Sequence, residues 1–400
     1  MLVRSMVPLL QMALSVSPVV LLKGARQVGK STLAMQYSDE YRVMDDVSVR
    51  LNAKAAPQLF IDMLPKPVCI DEIQKAPELL EAIKLYVDRQ RRNGDFLITG
   101  SANLLDMKQT KDTLAGRVIE LSLYPLSFKE QQGKPLDNVV DRLFQQNFST
   151  EMIDSETLLN VMLQGGYPEL LRISEPRARK LWFASYISSY VERDARDLGE
   201  LRDLDSYFRF LNVIASRSAT LLNKSDLAKE VGVRIETLDN YLTILHQTFQ
   251  MHSIRPYYEN IGKQFVKAPK TFMADTGVLC YFLDIQSAQA LSASRYKGQI
   301  IETFVLNEII KHLQWAEKSC QLNHYRTHDK QEIDFILVAQ DQTIAIEIKS
   351  SSNVHKSDFK HIVQFQAAHK TPVLGVVFYM GEQVLWFDEQ CVALPMSLFG

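Results

Sequence analysis

The sequence contains few cysteines, and they show no paired spacing. Cys69, Cys280, Cys320 and Cys391 are the four cysteines in 400 residues, and they lie far apart along the chain. This pattern argues against a disulfide scaffold and against a cysteine-based zinc site. It is typical of a protein in a reducing compartment, so we expect a cytoplasmic location.

The chain also lacks a long apolar run and a strong net charge. No hydrophobic stretch approaches the roughly 18 residues that a membrane helix needs, so we expect no membrane partner. The apolar N-terminal segment is interrupted by Pro8, Gln11 and Pro18, which favours an amphipathic helix over 4–15 rather than a signal peptide. The formal charge is only -2. Any contact with nucleic acid must therefore depend on a local basic surface.

The first 156 residues alternate apolar strands with helical segments. The pattern predicts strands over 19–22, 68–70, 96–99 and 118–121, with helices over 31–37 and 78–90. Strands at such intervals indicate an α/β fold with a mostly parallel sheet and helices on both faces. The segment 131–156 is polar and aperiodic, which predicts the end of this domain.

The remaining residues divide into three predicted parts. A helical lid is expected over 157–218, a winged helix–turn–helix over 219–290 and a second α/β unit over 291–400. In the middle part, 225–247 predicts two helices joined by a short turn, with Ser225 as the N-cap of the first helix. The small and polar segment 288–298 predicts a linker.

A phosphate-binding loop follows the first predicted strand. The sequence Gly-Ala-Arg-Gln-Val-Gly-Lys-Ser over 24–31 has the P-loop spacing and lies between a strand and a helix. Lys30 is expected to reach the β- and γ-phosphates of ATP, and the Ser31 hydroxyl is expected to ligate Mg²⁺. The residues predicted to contact the nucleotide here are Gly24, Ala25, Arg26, Gln27, Val28, Gly29, Lys30, Ser31 and Thr32.

Polar residues at two other strand ends complete the predicted ATP site. The apolar strand over 68–70 runs into Asp71 and Glu72. Asp71 is expected to hold Mg²⁺, and Glu72 to orient and activate the attacking water. Thr99 ends the next strand, which would place its hydroxyl near the γ-phosphate.

Arg117 stands directly before the strand predicted over 118–121. An arginine directed at the transition-state charge raises the rate of phosphoryl transfer by roughly 10³–10⁵. In a homo-oligomer, Arg117 could supply this charge to the nucleotide of a neighbouring subunit. The alternative is a surface arginine in an ion pair, worth about 0–1 kcal/mol.

Four charged residues in the last part resemble the PD-(D/E)XK nuclease arrangement. Glu302 lies on the apolar stripe of a predicted helix, Asp334 lies in a strand, and Glu347 and Lys349 share one face of the next strand. In such a site Glu302, Asp334 and Glu347 would bind Mg²⁺ or Mn²⁺, and Lys349 would position or deprotonate a water. Two alternatives stay open: a chance pattern on a solvated strand, and a nuclease-like fold that binds without cutting.

The middle part offers a candidate surface for DNA. Basic residues alternate with aromatic ones after the helix–turn–helix, as suits contact with a nucleic-acid backbone. The alternative is a winged helix that only joins domains or binds protein. The residues of this surface are Arg255, Tyr257, Tyr258, Lys263, Phe265, Lys267 and Lys270.

Several short motifs together make the chain resemble a family of AAA-type P-loop ATPases, related to the signal-transduction ATPases. In that family this module precedes a C-terminal domain of unknown function related to restriction endonucleases. The motif Gly165-Gly166-Tyr167-Pro168 resembles the lid element of these ATPases, whose proline packs near the nucleotide base. The other matching motifs are Asp71-Glu72-Ile73-Gln74, Thr99-Gly100-Ser101, Leu114-Ala115-Gly116-Arg117, Pro125-Leu126-Ser127-Phe128, Tyr190-Val191-Glu192-Arg193-Asp194 and Phe272-Met273-Ala274-Asp275-Thr276-Gly277.

The resemblance implies ATP binding, Mg²⁺-dependent ATP hydrolysis and coupling of that cycle to DNA binding or cleavage by the C-terminal unit. The alternative is a nucleotide-driven switch or assembly ATPase whose C-terminal unit is a non-catalytic binding module. The chain departs from the family pattern in showing no clear lid arginine, for which Arg172 and Arg193 are the candidates.

Overall fold

The computed structural model describes residues 2–101, 114–134, 136–191, 203–258, 268–327, 329, 331–369 and 371–400. In this part of the chain the strands form two sheets, one of five strands and one of nine. No helix within these ranges is both long enough and apolar enough to cross a membrane.

The first sheet is parallel and lies among helices, which confirms the α/β prediction. Its strands are β1 Val19–Lys23, β2 Glu40–Val43, β3 Val68–Asp71, β4 Phe96–Gly100 and β5 Val118–Ser122. Their order across the sheet is β2-β3-β4-β1-β5. Because all neighbours run parallel, the carboxyl ends of β1, β3 and β4 meet at one edge. The helices of this unit are α1 Val7–Val16, α2 Lys30–Ala34, α3 Val47–Ala55, α4 Pro57–Met63, α5 Glu78–Arg89 and α6 Phe128–Gln131.

The segment 131–156 is not aperiodic, contrary to the sequence-based expectation. It contains α7 Val139–Gln145, whose N-cap Asn138 accepts hydrogen bonds from two backbone amides. Val139, Val140 and Leu143 are fully buried in the core. A seven-residue helix spans only two turns, which is too short to show a helical period in the sequence.

In the described residues of the predicted lid segment, 157–191 and 203–218, the chain is mainly helical, as predicted. It contains α8 Ser155–Gln164, a 3₁₀ turn over Pro168–Arg172, α9 Pro176–Tyr186, a π-helical turn over Ile187–Val191 and α10 Leu204–Ser216. Trp182 stacks on Tyr186, with ring centroids 5.2 Å apart. Tyr167 packs against both rings, so the chain just before Pro168 is anchored in an aromatic core.

The predicted helix–turn–helix consists of α11 Lys224–Val231 and α12 Ile235–Gln247. Its first N-cap is Asn223 rather than the predicted Ser225, because the Asn223 side chain accepts a hydrogen bond from the Asp226 amide at 3.2 Å. The turn is closed by Gly232, whose φ of +80° suits a residue without Cβ. Residues 259–267, which include the predicted Lys263, Phe265 and Lys267, lie outside the described part of the chain.

A nine-stranded sheet joins the helix–turn–helix to the C-terminal unit. Its strands are β6 Thr220–Leu221, β7 Met251–Pro256, β8 Lys270–Met273, β9 Gln321–Arg326, β10 Glu332–Val338, β11 Thr343–Lys349, β12 Val373–Tyr379, β13 Leu385–Asp388 and β14 Cys391–Pro395. They lie in the order β13-β14-β12-β11-β10-β9-β7-β8-β6. The strand β7 pairs antiparallel with β8 and parallel with β9.

Helices cover this sheet and connect it to the first unit. They are α13 Thr276–Phe282, α14 Ala288–Ala293, α15 Lys297–Leu313 and α16 Lys360–Ala368, and α14 lies where the sequence predicts a linker. Glu308 of α15 accepts a hydrogen bond from the Phe128 amide at 2.9 Å, and Lys311 donates to the Leu126 carbonyl at 3.0 Å. The helix therefore holds the C-terminal unit to the segment that follows β5.

A histidine buried in this contact predicts sensitivity to acid. Burial lowers the pKa of His312 to about 3, and the charges around it come from Glu130, Lys311, Lys129 and Asp137. A histidine in the unfolded chain takes up a proton near pH 6.5, so protonation favours unfolding, and stability is lost as the pH falls from 6.5 towards 3. At pH 5 this group lowers the free energy of unfolding by about 2 kcal/mol.

We therefore expect His312→Leu to lose less stability than the unmodified protein between pH 7.5 and pH 5. Urea unfolding at the two pH values measures the difference. The half-buried His252 and the buried His324 have pKa values lowered to about 3 and about 4 by loss of hydration, so part of the acid sensitivity should persist. The exposed His355→Leu variant is the control. Equal losses in His312→Leu and the unmodified protein would contradict the prediction.

Candidate nucleotide-binding site and C-terminal carboxylate cluster

The P-loop lies at the carboxyl end of β1 and leads into α2. Gly24 has a φ of +153°, and a Cβ on this residue would lie 2.1 Å from the Leu123 carbonyl oxygen. Gly29 has a φ of +97°, which also favours glycine. The sequence therefore needs both glycines to bring the loop backbone across the sheet edge.

Lys30 is held beneath this loop. Its side chain is buried, and Nζ donates hydrogen bonds to the carbonyl oxygens of Gly24 at 2.9 Å and Ala25 at 2.8 Å. These contacts fix the ammonium group at the centre of the loop. A phosphate cradled by the loop would therefore meet a cation that is already positioned.

Asp71 and Thr99 meet at the adjoining strand ends. Asp71 is buried and accepts hydrogen bonds from the Thr99 hydroxyl and from the Tyr41 hydroxyl. Burial and the contact with Asp71 raise the pKa of Tyr41, whose hydroxyl also interacts with the Ser31 side chain. Tyr41 thus links the two predicted Mg²⁺ ligands, and no sequence motif indicated this role.

Glu72 is held in an uncommon backbone conformation. Its φ is +56°, in the left-handed region that residues other than glycine rarely adopt. Gln74 donates hydrogen bonds to the Glu72 carboxylate and, at 3.0 Å, to the Ser101 hydroxyl. The Glu72 amide donates to the Thr99 hydroxyl at 3.3 Å. Strain of this kind is common where a side chain must be directed at a site.

A cavity of about 520 Å³ adjoins these groups. This volume lies within the usual range for a small-molecule site. The predicted residues Lys30, Ser31, Glu72 and Pro168 line it together with Glu169, which the sequence analysis missed. The other lining residues are Arg26, Gln27, Gly29, Thr32 and Asp45.

Two oxygen donors near the phosphate loop suit a magnesium ion. The Ser31 hydroxyl and the Asp71 carboxylate are hard oxygen ligands, which is the type that Mg²⁺ prefers, and Tyr41 holds them close together. The residues present therefore fit the expected metal.

Arg117 lies near the amino ends of the strands, opposite the end at which the P-loop lies. It precedes Val118, which pairs with Val19 at the amino end of β1, whereas the P-loop follows the carboxyl end. The five residues of β1 separate its amino end from its carboxyl end by roughly 16 Å. The guanidinium group pairs with Asp88 through contacts of 2.6 and 3.0 Å. Within one chain Arg117 therefore forms the surface ion pair, and its role towards a neighbouring subunit stays a prediction.

The lid motif, Gly165 to Pro168, is hydrogen-bonded to Asp275, which follows β8, the strand that carries Lys270. The Gly166 amide donates to the Asp275 carboxylate at 2.7 Å, and the Leu126 amide donates to the Gly166 carbonyl at 2.7 Å. A Cβ on Gly165 would lie 2.4 Å from Asp275 Oδ1. Burial raises the pKa of Asp275, against the effect of its backbone hydrogen bonds. Of the candidate lid arginines, Arg172 is exposed and Arg193 lies outside the described residues.

The predicted nuclease-like residues converge in the C-terminal unit around a lysine that the prediction did not include. Lys270 Nζ lies 2.6 Å from Glu302 Oε1, 3.2 Å from Asp334 Oδ1 and 3.3 Å from Glu332 Oε1. Glu347 lies across the β10–β11 pair, close enough for its charge to interact with that of Asp334. We refer to Glu302, Glu332, Asp334 and Glu347 as the carboxylate cluster.

The electrostatics of the cluster reflect its burial. Burial and the charge of Asp334 raise the pKa of Glu347 to about 8, and the same two causes raise the pKa of Glu302 well above its usual range. The carboxylates outweigh the effect of burial on Lys270 and raise its pKa. Lys349 lies 3.7 Å from Glu347 Oε2.

With Lys270 in place, the carboxylate cluster does not fit a divalent ion. Such an ion needs carboxylate oxygens at about 2.0–2.6 Å, and the ammonium group occupies the space between three of the carboxylates. Within the described ranges, no group of three His, Cys, Asp or Glu side chains is arranged to hold a metal. The metal-binding roles of Glu302, Asp334 and Glu347 stay predictions.

The structure contradicts part of the predicted nucleic-acid surface. Lys270 is buried in ion pairs, so the prediction that it contacts a nucleic-acid backbone is wrong. Tyr257 packs against Phe365 and His369 rather than presenting a free ring. Arg255 is exposed.

The comparisons with known proteins agree with the P-loop geometry. Residues 16–132 match a family model described as an AAA domain, which supports an AAA-type P-loop ATPase family and suggests ATP binding and hydrolysis. Residues 155–289 and 297–399 match two other family models, each described as a domain of unknown function.

The chain is also similar to proteins from several bacteria. An uncharacterized protein of Mycobacterium tuberculosis is 28% identical over 391 residues, covering 96% of this chain and 82% of that protein. An uncharacterized protein of Haemophilus influenzae is 25% identical over 84% of each chain. A crystal structure of protein VC1899 from Vibrio cholerae covers 94% of each chain with 11% identity and a TM-score of 0.20, which is too low to support an argument.

Proposed function

We propose that the protein binds ATP with Mg²⁺ in the cavity beside the P-loop and hydrolyses it. One observation carries the proposal: Lys30, Ser31, Asp71 and Glu72 converge at one edge of a parallel sheet, beside a cavity of suitable size. In open α/β sheets, ligands bind at the carboxyl ends of the strands. The match to an AAA domain supports the same function.

The residues of the site have distinct roles in this proposal. The loop backbone and Lys30 bind the phosphates. Ser31 and Asp71 hold Mg²⁺, which neutralises phosphate charge when bound. Glu72, positioned by Gln74, orients the attacking water and accepts its proton.

The contacts beyond the cavity favour a nucleotide-driven switch. Pro168 lines the cavity, and the nearby Gly166 donates a hydrogen bond to Asp275, which lies two residues after β8, the strand that carries Lys270. A change at the nucleotide can therefore reach the C-terminal unit through this hydrogen bond. The position of Lys270 among the carboxylates supports the alternative in which this unit does not cut.

DNA binding or cleavage is a second candidate function. It is favoured by the convergence of Glu302, Asp334 and Glu347 with Lys349 nearby. Cleavage of circular DNA with Mn²⁺ or Mg²⁺ that is lost in Asp334→Ala would support it. ATP hydrolysis without cleavage in any condition would support the switch.

Removal of Mg²⁺ tests the proposed ATPase. We expect phosphate release from ATP to fall to background when EDTA is added and to return with excess Mg²⁺, because the metal neutralises the phosphates. The specific rate should rise with protein concentration if subunits associate, and Arg117→Ala should abolish that rise. Hydrolysis that persists in EDTA, or failure to bind ATP, would contradict the ATPase. A constant specific rate, with full activity in Arg117→Ala, would contradict only the oligomer.

A further inference from the structure

Lys270 occupies the position that a metal ion takes in a carboxylate site. Its side chain is only 3% exposed, and its ammonium group is in ion-pair contact with Glu302, Glu332 and Asp334. These three residues come from one helix and one strand of the C-terminal unit, whereas Lys270 comes from β8 beside the helix–turn–helix. We infer that Lys270 is an internal cation that closes the carboxylate cluster to divalent metal, and that the nucleotide site controls this closure through Asp275.

The backbone around Lys270 fixes this cation in place. Lys270 pairs with Leu221 on one side of β8 and with Ile254 on the other, so the residue cannot leave the cluster without a change of rotamer or a shift of the strand. A divalent ion and an ammonium group cannot both occupy the space between the carboxylates, because like charges at such distances repel strongly. Binding of metal therefore requires displacement of Lys270.

Both sides of the ion pair are fastened to the lid region. On the lysine side, β8 leads to Asp275, which accepts the hydrogen bond from the Gly166 amide at 2.7 Å. On the carboxylate side, α15 carries Glu302 and is bonded through Lys311 to the Leu126 carbonyl at 3.0 Å. The Leu126 amide in turn donates to Gly166.

Movement of the lid motif would thus act on the lysine through Asp275 and on its partner helix through Leu126. Pro168, which lines the nucleotide cavity, lies two residues from Gly166. Nucleotide binding that displaces this motif would shift β8 relative to α15 and open the contact between Lys270 and Glu302. This step of the inference depends on the proposed ATP binding; the closure by Lys270 does not.

Binding of Mn²⁺ to the full-length protein, without nucleotide, tests the closure. Electron paramagnetic resonance measures free Mn²⁺ in a titration of EDTA-treated and desalted protein. We expect no site in the unmodified protein that depends on Asp334, and a gain of about one bound Mn²⁺ per chain in Lys270→Met. The gained site should be lost again in Lys270→Met/Asp334→Asn. Lys224→Met, which removes an exposed lysine paired with Asp239, is the matched control and should gain nothing.

Two results would overturn the closure. One is a Mn²⁺ site in the unmodified protein that Asp334→Asn abolishes. The other is a folded Lys270→Met protein that gains no site. If Lys270→Met does not fold, the comparison of the unmodified protein with Asp334→Asn still decides, because it needs no change at Lys270.

Hydrogen–deuterium exchange tests control by the nucleotide. With a non-hydrolysable ATP analogue and Mg²⁺, we expect faster exchange of the Met273 amide, which donates to the Ser218 hydroxyl at 3.0 Å, and of the Gly166 amide. Lys30→Ala should show no such change. Analogue binding is measured on the same samples by fluorescence. Binding without a change at these amides would overturn the link to the nucleotide site, whereas absence of binding would contradict the proposed function itself.

Discussion

Replacement of Glu72 by glutamine is expected to lower the rate of ATP hydrolysis by about 10²–10⁴-fold while ATP binding is retained. Glutamine has the same shape but cannot accept the proton of the attacking water. It can still receive the hydrogen bond from Gln74 and can keep the left-handed backbone conformation that Glu72 already has. Single-turnover phosphate release and equilibrium binding of a fluorescent ATP analogue separate the two effects.

Two further variants make the Glu72 result specific. Lys30→Ala should lose analogue binding as well as hydrolysis, because it removes the buried cation of the phosphate loop. Glu78→Gln changes an exposed carboxylate at the start of α5 and should leave both properties unchanged. Hydrolysis at the unmodified rate in Glu72→Gln would assign the activation of water to another residue.

Replacement of Arg4 by alanine is expected to destabilise the protein by about 3–5 kcal/mol. Arg4 is buried and donates to Glu130 Oε1 at 3.0 Å, to the Val28 carbonyl at 2.7 Å and to the Tyr124 carbonyl at 2.7 Å. Although burial raises the pKa of Glu130, Arg4 and the amide hydrogen bonds lower it below its usual range. Without Arg4 this carboxylate would remain buried and lose its ion-pair partner.

The stability of Arg4→Ala is measured by urea unfolding at pH 7.5. Because Val28 belongs to the P-loop, binding of the ATP analogue should weaken in the same variant. Arg50→Ala removes an arginine whose side chain donates a hydrogen bond to the Met44 carbonyl at 2.9 Å, and it serves as the control. A loss below about 1 kcal/mol in Arg4→Ala would mean that the buried pair contributes no more than a surface one.

The parts of the ATP site that are local in sequence could be predicted, whereas the partners that complete it could not. The P-loop is a contiguous motif, and Asp71 and Thr99 end apolar strands, so sequence position indicates where they lie. Tyr41 reaches Asp71 from 30 residues away, and Arg4 reaches Glu130 across 126 residues. No local pattern distinguishes such residues from others of their type.

Lys270 shows how the same limit can mislead. Among aromatic and basic neighbours its sequence context suits a nucleic-acid surface, and that interpretation is wrong. The charge is buried because Glu302, Glu332 and Asp334 surround it, and these residues follow it by 32 to 64 positions. The resemblance to the PD-(D/E)XK arrangement implied that Glu302, Asp334 and Glu347 come together, but it did not imply their counter-charge.

The continuous sheet sets limits on how the chain can be divided for study. Because β7 pairs with both β8 and β9, a fragment that begins at residue 291 would leave one side of β9 without its partner strand. Such an exposed strand edge invites pairing with other molecules and aggregation. It would also remove Lys270 and leave the carboxylate cluster without that cation. A fragment intended to report on the C-terminal unit should therefore begin before β6, so that the strands between the two halves remain together.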